Sequence, residues 1–140
     1  VDSGSMDSAV ITTLQNDPTL QGLLPDGVFW DSAPQGAERF ATVTLLDHED
    51  IYMFEGKKAF EIFEYIVKCV IFSTSGSDAR KAATQIDALL VNRALTPAGY
   101  RSVRCQRLNY RRYNEPDENP DERWQHDGGQ YEIAAVPTTE

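Results

Sequence analysis

Residues 60–95 hold one abrupt change of hydrophobic period, and nothing else in the chain constrains the fold as strongly. From Phe60 to Phe72 the apolar residues are β-branched or aromatic: Ile62, Phe63, Tyr65, Ile66, Val67, Val70, Ile71 and Phe72. From Ala79 onward they recur at helical spacing, as Ala79, Ala82, Ala83, Ile86, Leu89 and Leu90. Turn formers at 73–77 separate the two. A strand that turns directly into an amphipathic helix buries apolar surface on both elements. Residues 59–72 also fit a helical period, but β-branched and aromatic enrichment decides for strand. One strand face then carries Phe63, Tyr65, Val67, Cys69 and Ile71; the other is a mixture of Glu64, Ile66, Lys68, Val70 and Phe72. That pattern predicts a central strand partly covered on both sides. Ser77 is expected to cap the helix, with Asp78 at the positive end of its dipole, and Thr96-Pro97 to stop it. Phe63, Val67, Ile71, Ile86 and Leu90 are expected to be buried together.

The remaining segments are shorter. Asp7-Ser8 can open a helix carrying Val10, Ile11 and Leu14, and Asp17-Pro18 restarts it with Asp17 as cap. Pro25-Asp26-Gly27 is a turn, 28–30 a short strand, 31–36 a loop, and 39–47 an alternating second strand. Residues 48–58 are largely polar, with Tyr52, Met53 and Phe54 embedded, and read as a long loop exposing three hydrophobes together. Residues 101–113 form the next strand. Val103 and Cys105 share one parity and Leu108 and Tyr110 the other, so a bulge near Gln106-Arg107 is expected. Asp127-Gly-Gly-Gln130 reads as a turn before a last strand with Tyr131, Ile133 and Ala135. The expected fold is α+β: an antiparallel sheet of four to five strands with two helices packed mainly on one face. It occupies a single domain at 7–136, with residues 1–6 a ragged start and 137–140 a tail.

Chemistry is sparse. At 140 residues and a net charge of −9, the chain is acidic where a nucleic-acid binder would be basic. It contains no apolar run long enough to span a membrane and no signal peptide is expected. Cys69 and Cys105 fall in apolar patterns and read as reduced, buried thiols, with adjacent strands a way to bring them close. His48 and His126 lie in polar stretches without a nucleophile motif and read as solvated. Asp117-x-Asn119-x-Asp121 begins like a calcium loop, but Glu122 stands where the turn glycine belongs and Gly128 where the chelating glutamate belongs. No catalytic residue, cofactor or metal ligand is expected. The charge pattern says more. Five of the nine arginines lie in 101–112 and five carboxylates in 115–122. Such a pair of runs either pairs within the chain or meets a neighbouring subunit, where arginine suits bidentate contacts.

The run AFEIFEYIVKCVIFSTSGSDARKAATQIDALL, then LTPAGY, RCQRLNYRRY and WQHDGGQYEI, preceded by DGVFWDSAPQGAERFATVTL, resembles the tail-completion or tail-terminator proteins of long-tailed bacteriophages. The order of these segments, from about Asp7 to Val136, carries the resemblance. It implies an α+β virion protein without catalysis, assembled in the host cytoplasm as a hexameric ring at the head-proximal end of a tail. Its implied partners are further copies of itself, the tail-tube protein and a head-side connector, with DNA passing through the lumen. Another head–tail connector or stopper of the neck is the alternative within that setting; a small hydrolase or nucleic-acid-binding regulator is the alternative outside it. An acidic balance suits a DNA passage because like charge repels phosphates. The residues expected at subunit or partner contacts are Tyr52, Met53, Phe54, Arg107, Arg111, Arg112, Glu115, Asp117 and Glu118.

Overall fold

The computed structural model describes residues 3–73, 76–91, 95–115 and 123–138. In chain order the elements are α1 (Ser3–Gln15), α2 (Pro18–Leu23), β1 (Gly27–Trp30), β2 (Arg39–Tyr52), β3 (Lys58–Ser73), α3 (Ser77–Val91), β4 (Tyr100–Glu115) and β5 (Arg123–Pro137). The fold is mixed α+β. One five-stranded sheet has the order β1-β2-β3-β5-β4.

β3 is the central strand, and the expected face is the core face. Phe63, Tyr65, Val67, Cys69 and Ile71 are all 0–1% exposed. Ala41 and Val43 of β2, and Tyr131, Ile133 and Ala135 of β5, continue this surface across the sheet. Met6, Val10 and Leu14 of α1, Leu20 of α2, and Ala79, Ala82, Ala83, Ile86, Leu89 and Leu90 of α3 belong to the same buried cluster. Ile62, Glu64, Ile66, Lys68 and Phe72, on the opposite face of β3, remain half-buried.

The caps are local. Asp17 accepts the Leu20 amide at 3.0 Å with Pro18 at the first helical position, and also accepts from Gln85 of α3 at 3.1 Å. Asp78, in the first turn of α3, pairs with Arg39 of β2 at 3.1 Å.

Five expectations need correction. Among the described residues there are three helices, because the Asp17-Pro18 break yields two separate helices before β1. Helix α1 starts at Ser3, with Met6 fully buried, so the folded part extends further toward the N-terminus than residue 7. The sheet is not wholly antiparallel, since β1 runs parallel to β2. The loop 31–38 doubles back along the strand, with Asp31 and Gly36 at φ +67° and +93°. Asp26 holds its far end by accepting the amides of Glu38 and Arg39, both at 2.9 Å.

Residues 48–52 are not loop; they lengthen β2, and β3 starts at Lys58, so the two strands form one projecting hairpin. Finally, Gly128-Gly129 is not a turn. Both lie inside β5, and a Cβ at Gly128 would collide with the Val67 carbonyl oxygen. One at Gly129 would lie 2.6 Å from the Asn109 carbonyl oxygen. Glycine here permits close approach of two flanking strands.

Candidate functional site: a hairpin, an edge strand and a polar cluster

The β2–β3 hairpin ends in a tight turn. The Met53 amide donates to the Lys57 carbonyl at 2.6 Å, the Gly56 amide to the Met53 carbonyl at 2.9 Å, and Gly56 adopts φ +87°. Tyr52 is 59% exposed, Met53 47% and Phe54 fully exposed. The expected apolar tip is therefore present, on a built hairpin that presents it away from the core.

β4 is the long edge of the sheet, with no strand on its outer side among the described residues. It carries the expected bulge, at Leu108, where the pairing steps from Arg107 to Asn109. The bulge brings Arg112 opposite Asp127, while Leu108 and Tyr110 stay 43% and 38% exposed, so the shift does not restore one buried apolar face.

Two of the three arginines expected at a subunit contact are committed within the chain. Arg107 pairs with Asp87 of α3 at 3.1 Å and lies 4.6 Å from the Tyr110 ring centroid. Arg112 donates to Asp127 at 2.9 Å. Asp127 is buried, and that burial raises its pKa above the ordinary carboxylate value against the opposing pull of Arg112. Arg111 is exposed and has no ion-pair partner among the described residues. Glu115 ends β4, and Asp117 and Glu118, with the calcium-loop-like stretch, lie outside the described residues.

The two histidines differ: His126 is buried, whereas His48 is exposed to solvent as expected but makes specific contacts. His126 is 8% exposed in β5, opposite Val70. His48 stacks on Phe63 at 4.1 Å between centroids, and its Nε2 lies 2.7 Å from Glu61 Oε1. Glu61 is 1% exposed and also accepts from the Tyr100 hydroxyl at 3.2 Å. A bulge in β2 creates this arrangement. Pairing of β2 with β3 skips Leu46, so even-numbered His48 and Asp50 join odd-numbered Phe63 and Glu61 on one face. Lys58 completes the cluster, 3.5 Å from Asp50 Oδ1.

Cys69 and Cys105 are free thiols. They are not on adjacent strands, because β5 lies between β3 and β4. Burial pushes the Cys69 thiol well up and Cys105 to about 12, so neither is a nucleophile near neutral pH. Among the described residues, no helix is long and apolar enough to cross a membrane.

Among solved structures, a chain of the virion of a native gene transfer agent particle superposes with a TM-score of 0.68, at 20% identity and with 96% of each chain covered. The fold is one used in a virus-like particle. A second solved protein, of no stated function, superposes with a TM-score of 0.61 at 17% identity, covering 100% of this chain and 99% of its own. No protein-family model and no curated protein matches this chain.

Proposed function

We propose that this chain is a virion structural subunit that forms a ring, of hexameric stoichiometry, at the head-proximal end of a phage-type tail. There it ends polymerisation of the tail tube and offers the surface on which the head-side connector docks. The observation that carries the reading is the end-to-end match of fold with a chain of the gene transfer agent virion. Two surface features support it. The apolar tip of the β2–β3 hairpin is solvent-exposed. The long edge strand β4 carries exposed Arg101, Arg104 and Arg111. Exposed edges and grouped surface hydrophobes are liabilities in a solitary domain and assets in an assembling one. Arg107 and Arg112 serve the fold first, so the contact role falls mainly on Arg111 with Tyr52, Met53 and Phe54, while Glu115, Asp117 and Glu118 would supply carboxylates to a neighbour. A net charge of −9 suits a lumen that DNA must traverse without adhering.

Deleting the gene and imaging the particles tests this directly. The expected result is tails of uncontrolled length, or finished tails that fail to join heads, restored by supplying the protein in trans. Tails of normal length without heads would favour a connector role in the neck over termination. Normal, head-joined tails would exclude both.

A further inference from the structure

We propose that His48, Asp50 and Glu61 form a binding site for a divalent first-row transition ion, with zinc the leading candidate. One imidazole and two carboxylates offer ligand atoms that all lie within 4.8 Å of one another. In a tetrahedral zinc site, ligand atoms about 2.0–2.2 Å from the metal sit roughly 3.3–3.6 Å apart, so modest side-chain movement closes the set. The donors are an N,O,O combination suited to zinc, with its neighbours in the transition series as competitors.

Proximity alone would not carry this, since exposed acidic groups often gather without an ion. The second observation is Glu61. It is 1% exposed, yet its Oε2 has no hydrogen-bond partner. The closest cation is Lys58 Nζ at 3.9 Å, beyond hydrogen-bond reach. A buried carboxylate oxygen left in that state is costly, and a metal ion is one of the few groups that satisfies it. The surroundings are also those of a built site. Phe63 fixes the plane of the His48 ring by stacking, and the Tyr100 hydroxyl orients the Glu61 carboxylate from outside the ligand set, as second-layer donors do at metal centres. The two carboxylates come from directly paired positions, Asp50 opposite Glu61, and the Leu46 bulge puts His48 on their side.

Lys58 is the competing feature. Its ammonium, 3.5 Å from Asp50 and 3.9 Å from Glu61, takes part of the place a cation would occupy. It begins β3, and its side chain is 28% exposed, so it can swing into solvent when an ion enters. The bound ion would tie β2 to β3 at the base of the projecting hairpin and, through Tyr100, to the start of β4. It would therefore set the direction of the hairpin.

The test uses the full chain, stripped with chelator, exchanged into buffer and titrated with zinc chloride by calorimetry, followed by desalting and elemental analysis. The expected result is one ion retained per chain. Asp50→Asn and His48→Ala, both at solvent-accessible positions, should each weaken binding at least tenfold while the circular dichroism spectrum stays unchanged. Lys58→Met should tighten it. The proposal is overturned if the wild-type chain retains no zinc, if Asp50→Asn and His48→Ala bind as well as wild type, or if Lys58→Met fails to bind more tightly. The first outcome would mean that Lys58 is itself the permanent counterion.

Discussion

Gly128 and Asp127 are neighbours in β5 and are constrained in opposite ways. Gly128 must lack a side chain, because a Cβ there meets the Val67 carbonyl oxygen and lies 3.0 Å from Lys68 Cα. Gly128→Ala should therefore destabilise the protein by about 1–3 kcal/mol or more, read as a fall in thermal midpoint. A midpoint equal to wild type would show that the strands can separate freely. Asp127 carries a carboxyl whose charge burial disfavours, and its raised pKa fixes the sign of its pH dependence. A carboxyl with a raised folded-state pKa holds its proton more tightly folded than unfolded. Its contribution is therefore most favourable below the ordinary aspartate range and is lost as pH rises through the raised value. Asp127→Asn should melt higher than wild type at neutral pH, and the gap should close on acidification below the raised pKa. A gap that widens on acidification would contradict this. Sequence could not separate these roles. A Gly-Gly pair looks the same whether it turns the chain or lets two backbones approach, and only the flanking strands decide. The contacts of His48 were missed for a related reason. An exposed histidine among Asp and Glu residues looks free until a partner strand supplies a buried Glu61 and an aromatic face.

Elements were legible where periodicity was long and unambiguous. β3 and α3 carry opposite, sustained periods, and the residues expected to be buried together are 0–2% exposed. Leu90→Ala should destabilise by about 2–5 kcal/mol in denaturant unfolding; a change below about 1 kcal/mol would mean that α3 is loosely seated. Of the bulges at Leu108 and Leu46, only the first could be seen in advance. At Leu108 the bulge breaks an apolar parity, so the sequence betrays it to within a residue or two. At Leu46 the following residues, Asp47 to Asp50, are polar on both faces, so a shift of one position breaks no pattern. That invisible bulge is what assembles the His48, Asp50 and Glu61 cluster. The parallel pairing of β1 was hidden too, since a four-residue strand has no pattern long enough to reveal its direction. The central and edge positions of β3 and β4 also predict their thiols. Under native conditions an alkylating agent should label Cys105 slowly and Cys69 more slowly still, and both fully after denaturation without reductant. Failure to label the denatured chain would indicate a disulfide, which strands separated by β5 do not permit without rearrangement.

At the scale of the molecule, the sheet places its two candidate contact regions at opposite ends. The β2–β3 tip projects beyond Lys58. Arg111 pairs with Gly128, which pairs with Lys68, ten residues further along β3. At about 3.3 Å per residue these levels are ~33 Å apart. One contact with one partner of this size cannot easily use both regions. A ring subunit on a tail needs separate surfaces for its neighbouring copies and for the tail, and two patches held apart can serve one contact each. On the proposed function, the two regions should then fail separately. Phe54→Asp changes a fully exposed residue and should leave the melting temperature unchanged. Its effect should appear where an apolar tip is gripped, as a loss of stable attachment to the tail. Arg111→Glu is equally harmless to the fold, and should instead weaken closure between subunits, since charge pairs set register and orientation more than affinity. Arg112→Glu is the wrong variant for this purpose, because it places a second carboxylate beside buried Asp127 and would unsettle β5 itself. The measurement is electron microscopy of particles complemented with each variant, alongside melting curves of the purified chains. Normal attachment with Phe54→Asp removes the tip from the interface, and closed rings with Arg111→Glu remove the edge strand. If both variants build normal particles, neither of the two regions that the sheet holds apart makes a contact that assembly needs.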